Sequence, residues 1–204
     1  MKNLSIVLLL AFAASKTVAQ SKQPEYFATL TNNAISFPFG GTLGVIHQPL
    51  HLGFGLGMIV KHWNKSPQHQ IYQTARFGLI YQQYVQTAVQ LYSDFNYRFQ
   101  LSTGFGVGAN AGLGYVHSFN GVQQFKANAQ GQYEKTGKLG RPNVMIPVGL
   151  NVGYAFTLKN DTQLRPFIEY QLWLQTPFAK EYIPILPNSA LHIGIAISKS
   201  AKTE

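Results

Sequence analysis

Apolar and polar positions alternate along most of this chain, and most cleanly from Val144 to Phe156, VMIPVGLNVGYAF. Val144, Ile146, Val148, Leu150, Val152, Tyr154 and Phe156 are all large and apolar. Met145, Pro147, Gly149, Asn151, Gly153 and Ala155 are mostly small or polar. A period of two places the sets on opposite faces of a β-strand. The alternation recurs six times. Leu52, Phe54, Leu56, Met58 and Val60 interleave with Gly53, Gly55 and Gly57. Ala75, Phe77, Leu79 and Tyr81 interleave with Thr74, Arg76, Gly78 and Ile80. Val89, Leu91, Phe95 and Tyr97 oppose Ala88, Gln90, Tyr92, Asp94, Asn96 and Arg98. Phe105, Val107, Ala109, Ala111, Leu113 and Tyr115 oppose Gly104, Gly106, Gly108, Asn110, Gly112 and Gly114. Ile168, Tyr170, Leu172 and Leu174 oppose Arg165, Glu169, Gln171 and Gln175. Leu191, Ile193, Ile195 and Ile197 oppose His192, Gly194, Ala196 and Ser198. With a weaker strand over Tyr26–Phe37, the pattern predicts eight strands.

The connections sort by length. Those near His62–Gln68, Gln100–Ser102 and Leu158–Thr162 are tight and carry turn residues such as Asn-Lys-Ser-Pro and Lys-Asn-Asp. Those near Pro38–Leu50, Phe119–Arg141 and Thr176–Asn188 are long, while Gln82–Tyr84 is short among them. Short turns at one end and mostly long loops at the other suit an antiparallel up-and-down meander. Both termini then fall at the short-turn end, which requires an even number of strands.

The polar face decides which way the sheet closes. Glycine rows such as Gly53-Gly55-Gly57 weaken a strand on a water-facing surface, but fit the crowded interior of an eight-stranded barrel. Arg76, Asp94, Arg98, Arg165 and Glu169 then share that interior as a polar network, either pairing to plug the barrel or lining a pore; the small bore favours the plug. The apolar face becomes an outer belt that aggregates in water and suits a bilayer, where a closed barrel satisfies every backbone group. Tyr97, Phe99, Phe105, Tyr154 and Phe156 fall near the short-turn ends of their strands, and Tyr81, Tyr115 and Phe119 near the loop ends, as two aromatic girdles require. The expected fold is all-β, an eight-stranded antiparallel up-and-down transmembrane β-barrel.

Composition supports this picture. Among 204 residues only 11% are charged, while 46% are hydrophobic; a soluble domain carries roughly 25% charged residues. Cysteine is absent, which excludes a disulfide framework, a thiol nucleophile, a thiolate metal site and a lipidated N-terminal Cys. At the N-terminus, Met1-Lys2-Asn3 precedes the apolar run Leu4–Ala14, and SKTVAQ leads to a cleavage site near Ala19 or Gln20. This reads as a secretory signal peptide over residues 1–20, too short to span a membrane, followed by one barrel domain over 21–204. Removing Lys2 and Lys16 lowers the formal charge from +9 to +7. For an exported basic chain, acidic lipid headgroups are a simpler partner than nucleic acid.

The signal peptide, the amphipathic strands, the glycine-rich strand at Gly104–Tyr115 and the Tyr-rich LYSDFNYRFQ arm together resemble the small outer-membrane β-barrel proteins of Gram-negative bacteria. The resemblance is one of pattern and covers about Tyr26–Ser198. It implies an outer-membrane location, a monomeric barrel among lipid and lipopolysaccharide, and folding by the barrel-assembly machinery. That machinery recognises a last strand ending in an aromatic residue. Here LHIGIAIS ends in Ile197-Ser198, followed by Lys199-Ser200-Ala201-Lys202-Thr203-Glu204.

Candidate chemistry is sparse. Some members of this group are lipid A deacylases or acyltransferases, which directs attention to His117-Ser118. A His base must touch the hydroxyl it activates, yet neighbours on a strand face opposite sides. The Ser does not lie two positions after the His as in the deacylases, and Glu134 completes a triad only if its loop folds back. The remaining histidines considered, His47, His51, His62 and His69, are scattered; His62 and His69 flank one turn without a carboxylate partner, a weak metal site. GFGVGANAGLG carries Ala111 where a dinucleotide fingerprint needs its third glycine, and no helix follows. The sequence therefore predicts no cofactor, no metal and no catalytic group. The loop Phe119–Arg141 sets Lys126, Lys135, Lys138 and Arg141 against Glu134 alone, a basic surface for lipopolysaccharide phosphates or simply a solvated loop.

Overall fold

The structure, a computed structural model, describes residues 24–35, 50–63, 66, 68–121, 124–128, 130–136, 140–178 and 184–199. Its strands in chain order are β1 (Tyr26–Ala34), β2 (Leu52–His62), β3 (His69–Gln82), β4 (Gln86–Gln100), β5 (Phe105–Asn120), β6 (Gln124–Ala127), β7 (Tyr133–Thr136), β8 (Arg141–Tyr154), β9 (Phe156–Thr157), β10 (Thr162–Thr176) and β11 (Leu186–Lys199). Strands β1, β2, β3, β4, β5, β8, β10 and β11 pair antiparallel in that order, and β11 pairs back onto β1, so the sheet closes into an eight-stranded up-and-down barrel. The two-residue β9 continues β8 along β10, and β6–β7 form a separate hairpin in the loop between β5 and β8. No helix occurs among the described residues.

The first strand, weakest in the sequence pattern, completes the ring. Every residue from Tyr26 to Ala34 pairs with β11, from Ile197 back to Ser189, and Tyr26–Asn32 pair on the other side with β2. The strand stops at Ala34, and residues 36 and 37 lie outside the described set. Several strands outrun their alternating windows: β3 begins at His69, β5 reaches Asn120 and β8 starts at Arg141. Hydrogen bonding extends these strands beyond the stretch in which lipid dictates side-chain polarity.

The alternation resolves as the inside-out arrangement. Leu30, Leu113, Leu150 and Ile193 are 59–68% exposed on the outer surface, whereas Met145, Trp173 and Asp94 are at most 1% exposed within. A continuous apolar exterior around a closed ladder is stable in hydrocarbon and unstable in water, so this is a transmembrane barrel. Tyr97, Phe105, Tyr154 and Phe156 are exposed toward the short-turn end, and Tyr81, Tyr115 and Phe119 toward the loop end. Trp63 stacks on Phe95 at 5.4 Å with Lys61 over its ring, extending the short-turn girdle.

The interior glycines admit their neighbours' side chains. A Cβ on Gly57 would lie 2.2 Å from the Phe27 ring, and one on Gly114 the same distance from Tyr92 Cβ. At those positions the wall is thin enough for large inward residues to lie flat against it. Gly104 does something else: at φ +95° it forms the β4–β5 turn rather than continuing the strand.

Candidate functional site in the barrel interior

Inward-facing positions fill the bore in layers from the short-turn end to the loop end. In the middle, Arg76 of β3 sits opposite Gly57 on one side and Tyr92 on the other. Its Nε lies 2.9 Å from Asp94 Oδ2, and its Nη1 and Nη2 donate to Glu169 Oε1 and Oε2 at 2.9 and 3.0 Å. A planar guanidinium with fixed donors matches a carboxylate in this forked way. The cation also lies over the rings of Phe27 and Tyr92, at 5.0 and 5.8 Å. Across the β10–β11 ladder Glu169 pairs with His192, whose Nδ1 is 2.9 Å from Thr31 Oγ1.

A second charged centre lies nearer the short-turn end. Arg98 of β4 and Arg165 of β10 both place Nη2 on Glu25 Oε1, at 3.2 and 2.8 Å. Arg98 also donates to the Tyr72 hydroxyl at 2.7 Å and lies over that ring. Glu25 precedes β1, outside the spanning strands, and its carbonyl accepts from Ile59 N at 2.9 Å. Burial on its own raises the Glu25 carboxyl, but the charges of Arg98 and Arg165 and their hydrogen bonds outweigh it and hold the group at about 2.

Arg76, Asp94, Arg98, Arg165 and Glu169 are thus all brought inside, yet they divide between two centres rather than forming one set of mutual pairs. Glu25 joins the second centre. Three arginines then face three carboxylates, so the two centres are formally neutral together. Glu25 lies ahead of its strand, where alternation carries no information; the signal for it in the sequence is an unbalanced arginine in the inward set. Inward Phe167 and Trp173 were also missed, since their bulk hides them among the outward residues of β10.

Toward the loop end the layers become uncharged. Ile80, Ala88, Tyr92, Val116, Met145, Trp173 and Ala190 form an apolar cluster, and Trp173 Nε1 donates to Asn33 Oδ1 at 3.0 Å. Above it, Gln86 and Gln175 exchange amide hydrogen bonds at 2.9 and 3.1 Å, and Gln175 and Ser118 both donate to Asn143 Oδ1. Two interior voids lie beside the charged centres, each with about 10 Å³ open to a water-sized molecule. A single water needs about that much.

The loop cations are placed differently from one another. Arg141 begins β8 rather than lying in the loop, and its guanidinium donates to Asn120 Oδ1 at 2.7 Å and to the Phe178 carbonyl at 3.0 Å. The backbone of Lys126 and Lys135 lies in the β6–β7 hairpin, and Lys138 is outside the described residues. Ser118 is fully buried in the interior, while His117 lies on the other face with Nδ1 2.6 Å from the Tyr115 hydroxyl. His62 turns toward Tyr72 and His69 toward the Tyr97 hydroxyl at 2.7 Å, so they do not converge. His51 Nδ1 meets the Asn33 carbonyl, and His47 lies outside the described residues. Among the described residues no three His, Cys, Asp or Glu side chains cluster for a metal.

No protein-family model matches the sequence, and no curated protein matches it. Solved structures do resemble it. Neisserial surface protein A is similar at 8% identity and a TM-score of 0.48, covering 86% of this chain and 95% of its own. The outer membrane enzyme PagL is similar at 11% identity and a TM-score of 0.42, with 83% and 97% covered. The attachment invasion locus protein Ail of Yersinia pestis is similar at 10% identity and a TM-score of 0.41, with 87% and 99% covered. The chain is similar in fold to these small outer-membrane β-barrels.

Proposed function

We propose that this chain is an exported outer-membrane barrel, released from a signal peptide at residues 1–20, that serves a structural, envelope-maintenance or loop-binding role without conducting solutes or catalysing a reaction. The observation that carries this reading is the bore: paired charges, an apolar cluster and reciprocal amides occupy it, leaving voids of about 10 Å³. Eight strands enclose just enough space for side chains. In this reading the short turns face the periplasm, and the long loops face outward toward lipopolysaccharide. Lys126, Lys135 and Lys138 supply that surface with positive charge. The barrel-assembly machinery inserts the chain as a monomer; nucleic acid and cofactors have no part in it.

Two measurements test the proposal. Protein refolded into planar bilayers gives no discrete conductance steps, and regular steps overturn the closed-bore reading. Cells lacking the chain, and cells carrying His117→Ala, keep the parental lipid A acylation pattern by mass spectrometry. A change in acylation that tracks His117 overturns the non-enzymatic reading.

A further inference from the structure

The acceptor at the short-turn mouth differs in kind from the donors around it. Arg98 is held in the β3–β4–β5 ladders opposite Gln70 and Gly108, and Arg165 in the β10–β11 ladder opposite Ala196. Both are nearly buried, and both aim a terminal nitrogen at one oxygen. Two guanidinium groups converging on a single point repel each other strongly away from bulk water, so the arrangement requires an anion between them. The chain supplies that anion from Glu25, a residue outside every strand.

Three further contacts favour a fixed receptor around a replaceable acceptor. Gln70 Oε1 accepts from Arg98 Nη1 at 3.3 Å, and the Tyr72 hydroxyl accepts from Nη2. Phe167 lies beneath the Arg165 guanidinium at 5.0 Å. These contacts fix the donors without using the Glu25 carboxylate. One of the two small interior voids lies here, lined by Glu25, Tyr72, Arg98, Asn151, Arg165 and Phe167 among others.

We propose that Arg98 and Arg165, buttressed by Tyr72, form a binding site for a small carboxylate, which the folded chain fills with its own Glu25. The side chain of Glu25 acts as a tethered ligand whose effective concentration excludes weak competitors from solution. Removing it leaves two buried cations and a space of carboxylate size. The inference does not depend on the role proposed for the barrel in the envelope.

Chemical rescue tests this. The full chain with Glu25→Ala is refolded in detergent micelles and its thermal midpoint followed in sodium acetate or sodium chloride at matched ionic strength. Acetate raises the midpoint saturably, by about 5 °C, while chloride does not. Wild type shows no such difference, and adding Arg98→Gln to the variant abolishes it. Equal midpoints in acetate and chloride overturn the proposal, as does rescue that survives Arg98→Gln. If Glu25→Ala does not fold in chloride, the readout becomes the folded fraction recovered on refolding. Acetate then restores it at least threefold, and failure to do so overturns the proposal equally.

Discussion

Glu169 receives both terminal nitrogens of Arg76, one on each carboxylate oxygen, at 2.9 and 3.0 Å, although the two residues lie 93 positions apart in the chain. The pair ties β3 to β10 across the bore rather than through the ladder, and Asp94 holds the same guanidinium from β4. Replacing one partner leaves the other charge buried and uncompensated. Arg76→Ala therefore costs about 3–5 kcal/mol, read as a lowered urea midpoint for unfolding from lipid vesicles. A midpoint within error of wild type would show that the pair contributes nothing.

The mouth centre makes stability depend on acid. The folded Glu25 carboxyl sits at about 2, below its ordinary 4.5, so the folded state holds this group deprotonated where the unfolded chain takes up a proton. Its contribution is complete above about 4.5 and is lost as pH falls toward about 2. Arg98, Arg165 and Tyr72 are the charged and titratable groups that line its surroundings from β4, β10 and β3. Between pH 5 and 2 the denaturant midpoint of wild type falls more steeply than that of Glu25→Gln. Parallel slopes for the two proteins would remove the assignment.

On the outer surface, Leu150 is 67% exposed near the middle of β8. An arginine there meets hydrocarbon rather than water. Leu150→Arg is expected to destabilise the barrel by about 2–4 kcal/mol in a bilayer. A soluble barrel would tolerate the change, so an unaffected unfolding midpoint in vesicles argues against the membrane assignment.

Gly57 and Phe27 occupy one space. Gly57→Ala forces its new methyl against the Phe27 ring, which is already packed with Phe167 and Ala196 and lies under the Arg76 guanidinium. The single substitution is expected to cost about 1–3 kcal/mol, and Phe27→Leu in the same chain to recover part of that loss. A double-mutant cycle measures the coupling; strict additivity of the two changes would refute the steric account.

Much of this architecture was legible in the chain because lipid and lumen impose opposite demands on alternate residues. Val144–Phe156 reports both faces without ambiguity, and all seven of its large even-numbered residues lie exposed. Strand ends were less legible: beyond the girdles the ladder persists, but side-chain polarity no longer follows the pleat, so Arg141 read as loop. The interior was legible as a set of polar positions and illegible as pairs. Which arginine meets which acid depends on separations across the bore, such as the 140 positions between Glu25 and Arg165. Aromatics were ambiguous for a related reason. Phe167 and Trp173 satisfy the rules for a lipid-facing residue yet point inward, Phe167 opposite Gly153 and Gly194 and Trp173 opposite Pro147 and Asn188.

The seam between β1 and β11 joins the first described strand to the last, with Tyr26 beside Ile197. Until both have been delivered, a partly assembled sheet presents two bare margins of unsatisfied amides and carbonyls to an apolar solvent. A stepwise, strand-by-strand insertion is therefore unfavourable at every stage but the final one. An intermediate is therefore stable only while both margins are shielded together, and cutting the polypeptide short by a single strand leaves them bare.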